Sequence, residues 1–236
     1  MKIQTLFMLF PLLTGVLVAA PANSPMLEHQ EAQVVEVPGL PRVLILGDSI
    51  SIGYIQGVRK QLDGLAIVRR PPTNCGSTKT GLECLDAWLG EKHWDVIHFN
   101  WGLHDLRYNP VKRKDGTEDL KQNVLPEDYE KNLRILVARL KAASDTQIFA
   151  TTTPIPVKQK QRQPRIPADV DKYNEIALRV MKESGIPIDD LNAIVKGRET
   201  EVMPPEDVHF TREGYVVLAT AVADSIKKTL ATKAAK

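Results

Sequence analysis

The sequence predicts a three-layer α/β/α domain built on a mainly parallel sheet of about five strands. Three observations lead there. Short apolar runs of strand length alternate with amphipathic stretches of helix length along most of the chain. Runs such as Val43-Leu44-Ile45-Leu46 are continuously apolar, as strands covered on both faces are, rather than alternating. Finally, 236 residues with 43% hydrophobic and 25% charged side chains suit one domain around a single core.

Met1 to Ala22 has the pattern of an export signal. Lys2 gives the charged start, Leu6 to Ala20 is almost wholly apolar, and Val18-Ala19-Ala20 or Ala20-Pro21-Ala22 offers a small-residue cleavage site. The apolar run is too short to span a bilayer comfortably, and no cysteine follows it to carry a lipid. An exported protein, periplasmic or extracellular, is expected, with an uncleaved amino-terminal anchor as the alternative. Residues 23–41, with Pro25, Pro38 and Pro41, read as a flexible lead-in. The folded domain is then 42–236.

Val43 to Leu46 is the first strand, and Ile52, Ile55, Val58 and Leu62 recur at helical spacing after it. Leu65 to Val68 forms a second strand, ended by Pro71-Pro72. The loop 73–78 leads to a helix with Leu82, Leu85 and Leu89 on one face and Gly90 behind it. Trp94 to Phe99 is the third strand. The polar segment from Arg107 to Leu125 is long for a connection, so it is either a substrate-lining loop or a mobile insertion. Pro126 opens a helix that uses Tyr129, Leu133, Leu136, Val137 and Leu140. Gln147 to Thr151 is the fourth strand, and Ala168 to Ser184 a helix ended by Gly185. Ile186 to Ile188 is a weak fifth strand, with a short helix within 189–195. Thr211 caps a last helix packed through Tyr215, Leu218, Val222 and Ile226.

A formal charge of +2 argues against nucleic acid or an anionic membrane as partner, since both leave a concentrated basic footprint. Lys158, Lys160, Arg162 and Arg165 form a basic run that reads as a solvated loop. Cys75 and Cys84 are the only cysteines; outside the cytosol they could pair or stay free, and their spacing lacks the histidines of a zinc site. His98 and Trp94 sit within a strand run and read as core. Trp101 is either a packing residue or a platform for a sugar ring.

In a parallel sheet all strand ends reach one rim, so Ser49, Gly76 and His104 become neighbours there. Acyl transfer to water through a serine needs a nucleophile, a base, a group that orients the base, and donors for the oxyanion. Ser49 is the candidate nucleophile and His209 the candidate base. Glu206 or Asp207 is the orienting acid. The N–H groups of Ser49 and Gly76, with a ring nitrogen of His104, are candidate oxyanion donors. The competing reading of Gly47-Asp48-Ser49 is a helix cap, and of Glu206-Asp207 a solvated acidic turn before a helix.

Gly47-Asp48-Ser49, then Gly76, then Gly102-Leu103-His104-Asp105, then the acidic pair before His209 resemble the four blocks of the SGNH (GDSL-like) hydrolases, in their order. The resemblance spans about Arg42 to Leu230. It implies a flavodoxin-like sheet, serine esterase or lipase activity, and no metal or organic cofactor. This chain departs twice from that pattern. His104 stands where the family has an oxyanion-binding Asn, and the family's Asp, three residues before His, is here Glu206, while Asp207 has the residue type at the wrong spacing. Either acid fits. The reading that follows is an exported esterase acting on a short acyl group, acetyl on a carbohydrate; a lipase, lysophospholipase or thioesterase of the same fold, an acyltransferase, or a catalytically silent glycan-binding module are the alternatives. The expected partner is an acylated glycan. Oligomeric state is not legible from the sequence.

Overall fold

The computed structural model describes residues 22–158 and 163–234. The expected export signal, apart from Ala22, therefore lies outside the described residues, as do Lys160 and Arg162. Five parallel strands form the central sheet: β1 (Arg42–Leu46), β2 (Ile67–Arg69), β3 (Trp94–Phe99), β6 (Ser144–Ala150) and β7 (Ile188–Asp189), in the order β2-β1-β3-β6-β7. The register sets Val43 opposite both Val68 and Val96. Residues 43–46 are at most 1% exposed, which explains the uninterrupted apolar run in β1.

The helices lie in two layers. α2 (Ser49–Gln61) and α8 (Arg212–Ala234) pack together on one face, and α3 (Thr78–Leu89), α4 (Pro126–Ala143) and α5 (Pro167–Ser184) pack in sequence on the other. Gly90 and Gly185, both with positive φ, end α3 and α5 as expected. Strand order reverses between β1 and β3, and in open α/β sheets the crevice at such a reversal is where ligands bind. Ser49 follows β1 and His104 follows β3, so both stand at that crevice. Among the described residues no helix is long and apolar enough to cross a membrane.

Two elements differ from the sequence expectation. The lead-in expected to be loose carries helix α1 (Pro25–Ala32), whose Leu27 is buried and whose Glu31 pairs with Arg59 of α2. Proline at the first helical position is a favourable start, and the polar composition of the segment hid that signal. The polar segment 107–125 is an antiparallel hairpin, β4 (Tyr108–Lys112) and β5 (Glu118–Gln122). Asp115-Gly116 makes its turn, and Arg113 pairs with Asp119 across it. Its strands are solvated on both sides, so they lack the apolar alternation by which strands are recognised. The remaining short helices are α6 (Leu191–Val195), capped by Asp190, and α7 (Glu199–Val202).

α2 and α8 approach so closely because α2 carries glycine at two successive turns of the side turned toward α8. A Cβ on Gly53 would lie 2.1 Å from the Tyr215 ring, and one on Gly57 would lie 2.7 Å from the Ala219 Cβ. The Tyr215 ring is itself backed by Phe210, with centroids 5.7 Å apart. Gly53→Ala is therefore expected to destabilise the protein by about 1–3 kcal/mol through overpacking, less the ~1 kcal/mol that Ala gains over Gly in a helix. Urea denaturation checks the sign: a clear gain in stability would show that the helices have slack at this contact.

Candidate active site

The turn after β1 is held by its own polar groups. Asp48 caps α2, its Oδ1 accepting from Ile50 N at 2.9 Å, while its carbonyl accepts from Ser51 Oγ at 2.7 Å. The capping interpretation thus belongs to Asp48, and Ser49 Oγ is left for another partner. That partner is His209, whose Nε2 lies 2.9 Å from Ser49 Oγ. On the far side of the ring, Nδ1 lies 2.8 Å from Asp207 Oδ1. Asp207, His209 and Ser49 therefore form one continuous hydrogen-bonded series, and its half-buried members face solvent on one side.

Of the two candidate acids, Asp207 is set against the His209 ring. Its Oδ1 also accepts from the backbone N–H of His209, at 3.2 Å, an Asx-turn contact that brings the carboxylate beside the ring of the same residue. Only a side chain as short as Asp makes that turn. Glu206, at the family's spacing, adopts φ 65, the left-handed region, and so turns the chain just ahead of Asp207. Although partial burial raises the carboxyl pKa of Asp207, its hydrogen bonds from His209 outweigh that and hold it below the usual value, so the group stays a carboxylate.

On either side of the turn, backbone bonds tie in the neighbouring loops. Cys75 N donates to Gly47 O at 3.2 Å, and Asn100 N to Leu46 O at 3.0 Å. Gly76 has φ +58, where a side chain is strained, and a Cβ there would sit 2.9 Å from Thr80 Oγ1. Its N–H donates to Asn74 Oδ1 at 2.9 Å, so a substrate oxygen must share or displace that carboxamide. The Ser49 N–H lies at the first position of α2, where N–H groups have no intrahelical acceptor. His104 sits in the turn after β3. Burial lowers its pKa; Arg107, Arg165 and His209 lower it further, against the charge of Asp48, which raises it. The ring is thus held neutral, close enough to His209 and Asp48 to feel both.

Several residues that brace the site were not singled out from the sequence. Arg70 is 3% exposed, and its Nη2 donates to Gly47 O, Ser51 Oγ and Thr73 O at 3.2–3.3 Å, joining the Ser49 turn to the Gly76 loop. A buried arginine in an Arg-Arg-Pro run carries no sequence mark that separates it from a solvated one. Arg165, expected in a solvated basic loop, is instead 8% exposed and donates from Nε to Leu103 O at 2.8 Å. Asn123 Nδ2 donates to His104 O at 2.7 Å, so the base of the hairpin steadies the His104 turn. Trp101 is 1% exposed and packs, its Nε1 donating to Cys75 O at 3.3 Å; it is no platform for a sugar. His98 pairs with Asp189 inside the sheet at 2.9 Å, and Cys75 and Cys84 are both free, buried thiols. Among the described residues no cluster of His, Cys, Asp or Glu is arranged to hold a metal ion.

A model of the GDSL-like lipase/acylhydrolase family matches residues 45–217. Among solved structures, the fold is similar to a lipase/acylhydrolase from Enterococcus faecalis, at 18% identity and a TM-score of 0.65, covering 80% of this chain and 96% of that one. It is similar to a putative acylhydrolase from Bacteroides fragilis, at 19% identity and TM-score 0.63, covering 86% and 94%. An acetylxylan esterase from Geobacillus stearothermophilus matches at 18% identity and TM-score 0.58, covering 79% and 94%. Among proteins of curated function, none matches the sequence.

One buried acid gives a pH test of this architecture. Asp105 is fully buried, its Oδ1 accepting from the N–H and the hydroxyl of Thr78 at the start of α3. Burial pushes its carboxyl up to about 7, against the lowering effect of those bonds. The unfolded chain releases this proton near 4, so between about pH 4 and 7 the folded state binds more protons and stability falls as pH rises. Asp105→Asn removes that contribution. The urea midpoint of the variant relative to the parent is expected to increase from pH 4 to pH 7; a difference independent of pH would show that Asp105 is ionised in the fold.

Proposed function

The chain belongs to the GDSL-like lipase/acylhydrolase family, and on that premise we propose that it is an exported serine esterase that removes short acyl groups, acetyl above all, from carbohydrate. The observation that carries the reading is the series Asp207–His209–Ser49 at the strand-order reversal. Ser49 Oγ attacks the ester carbonyl carbon as its proton passes to His209 Nε2. Asp207 fixes the tautomer of His209 and stabilises the imidazolium that forms.

The tetrahedral oxyanion is met by the N–H groups of Ser49 and Gly76 and by the His104 ring. Collapse expels the alkoxide, which takes the proton from His209, and leaves an acyl group on Ser49. Water, deprotonated by His209, then attacks the acyl-enzyme, releasing the carboxylic acid and restoring the serine hydroxyl.

The short-acyl part rests on the surroundings of the cleft. The hairpin joined to the His104 turn carries Lys112, Arg113, Lys114, Asp115, Asp119 and Lys121 around two exposed apolar residues, Val111 and Leu120, a mostly charged surface unlike the apolar lid that a long acyl chain needs. Carbohydrate as the alcohol follows from the expected export, and acetylxylan esterases share the fold.

With a small acetyl ester as substrate, Asp207→Asn is expected to lower kcat by about 10³–10⁴-fold, as loss of the orienting acid does elsewhere. Glu206→Gln is expected to leave kcat within roughly threefold, since Nδ1 of the base is already met by Asp207. The reverse ranking would transfer the acid's role to Glu206. Across a panel of esters, acetylated glycan is expected to be hydrolysed faster than long-chain esters; preference for long chains would replace the short-acyl assignment with a lipase.

A further inference from the structure

We propose that Arg107 is a positioning residue that keeps the His104 ring in its Nε2–H tautomer, so that an imidazole can do the work for which the family uses an asparagine amide. The inference rests on the esterase reading for its consequence but on geometry alone for its first step. Arg107 Nη1 lies 3.2 Å from His104 Nδ1. A guanidinium has five N–H donors, no acceptor, and does not give up its proton. His104 Nδ1 is therefore the acceptor and carries no hydrogen. In a neutral ring the one remaining proton is then on Nε2.

An asparagine needs no such partner, because its NH₂ always donates. Imidazole in either neutral tautomer has one donor and one acceptor nitrogen, so a ring facing a developing oxyanion with the wrong nitrogen bare would repel it. The exchange of Asn for His thus creates a requirement that the sequence alone leaves unmet. Arg107 meets it from three residues along. The intervening chain is a tight turn in which Asp105 N and Leu106 N both donate to Gly102 O, at 2.8 and 2.9 Å, and this brings residue 107 back beside residue 104. The base of the hairpin holds the same turn from outside, through Asn123 Nδ2 to His104 O, Asn123 N to Arg107 O and Val124 N to Asp105 O.

The charged groups around the ring support a neutral state. Arg107 from the same turn, Arg165 from the loop before α5 and His209 from the loop before α8 all oppose a positive charge on His104; Asp48 at the cap of α2 favours one. Burial adds to the first set. Protonation at Nδ1 would in addition set an N–H against the Arg107 N–H at hydrogen-bond distance.

The direct test is the protonation pattern of His104 in the ¹⁵N-labelled full chain, read from long-range ¹H–¹⁵N correlation spectra at neutral pH and assigned by His104→Asn. The expected spectrum shows a bare Nδ1 and a protonated Nε2. In Arg107→Met the two tautomers are expected to mix, and Arg107→Lys, which keeps a donor, to restore part of the parent pattern. A parent spectrum with Nδ1 protonated, or one unchanged in Arg107→Met, overturns the proposal whatever the enzyme's substrate. Kinetics then tests the consequence. Losing one oxyanion donor outright costs about a hundred- to a thousandfold, and a free ring still samples the right tautomer, so Arg107→Met is expected to lower kcat only about three- to thirtyfold with little change in KM. In a His104→Asn background the same change is expected to cost less than twofold. An equal loss in both backgrounds would mean that Arg107 acts through something other than the ring. Absence of any esterase activity, with the tautomer as expected, would count against the functional reading and not against the arginine's role.

Discussion

Ser49 and His209 are 160 residues apart in the chain and 2.9 Å apart in space, and the contact between α2 and α8 is what closes that distance. Ser49 opens α2, and His209 lies just before α8. Whatever spacing the two helices adopt is passed to Ser49 and His209 at their amino-terminal ends. Gly53 and Gly57 let that spacing be small, because Tyr215 and Ala219 occupy the space where Cβ atoms would otherwise stand. Efficient proton transfer requires donor and acceptor within about 3 Å, so the proposed chemistry at the rim would depend on packing one and two turns below it.

A second set of constraints fixes the rest of the rim against this pair. β1 is flanked by β2 and β3, and bonding continues past the strand ends, from Cys75 N to Gly47 O and from Asn100 N to Leu46 O. The loops carrying Gly76 and His104 therefore start from positions set by the sheet. Arg70 adds a buried cross-brace between the first of these loops and the Ser49 turn. Burying a guanidinium is costly unless its bonds are made, and here part of it serves three acceptors while Nε and Nη1 have no partner among the described residues.

Most of the fold was legible from the sequence because its signals are of the kind that burial imposes. β1 reads as a strand buried on both faces because it is one, and Gly90 and Gly185 mark helix ends that the structure places at them. What was not legible lies at the surface, in the local geometry of one turn, or in contacts distant in sequence. The hairpin 108–122 is solvated on both sides, with few apolar residues, and was hidden despite its Asp-Gly turn. The choice of Asp207 over Glu206 turned on an i to i+2 side-chain bond that motif spacing does not convey, and the basic loop looked solvated because nothing in the sequence tells that Arg165 reaches Leu103 O. The glycines of α2 were visible as residues, but their purpose became clear only with α8 beside them.

The central claim is that one hydroxyl in this molecule is activated by its own imidazole. The most direct measurement is labelling of the intact protein by a serine-directed fluorophosphonate, followed by peptide mass spectrometry, with His209→Ala as the comparison. The account predicts stoichiometric modification of the peptide bearing Ser49 in the parent and a rate of labelling reduced by orders of magnitude in His209→Ala. A folded parent protein that leaves Ser49 unlabelled, or one labelled equally fast without His209, would contradict it.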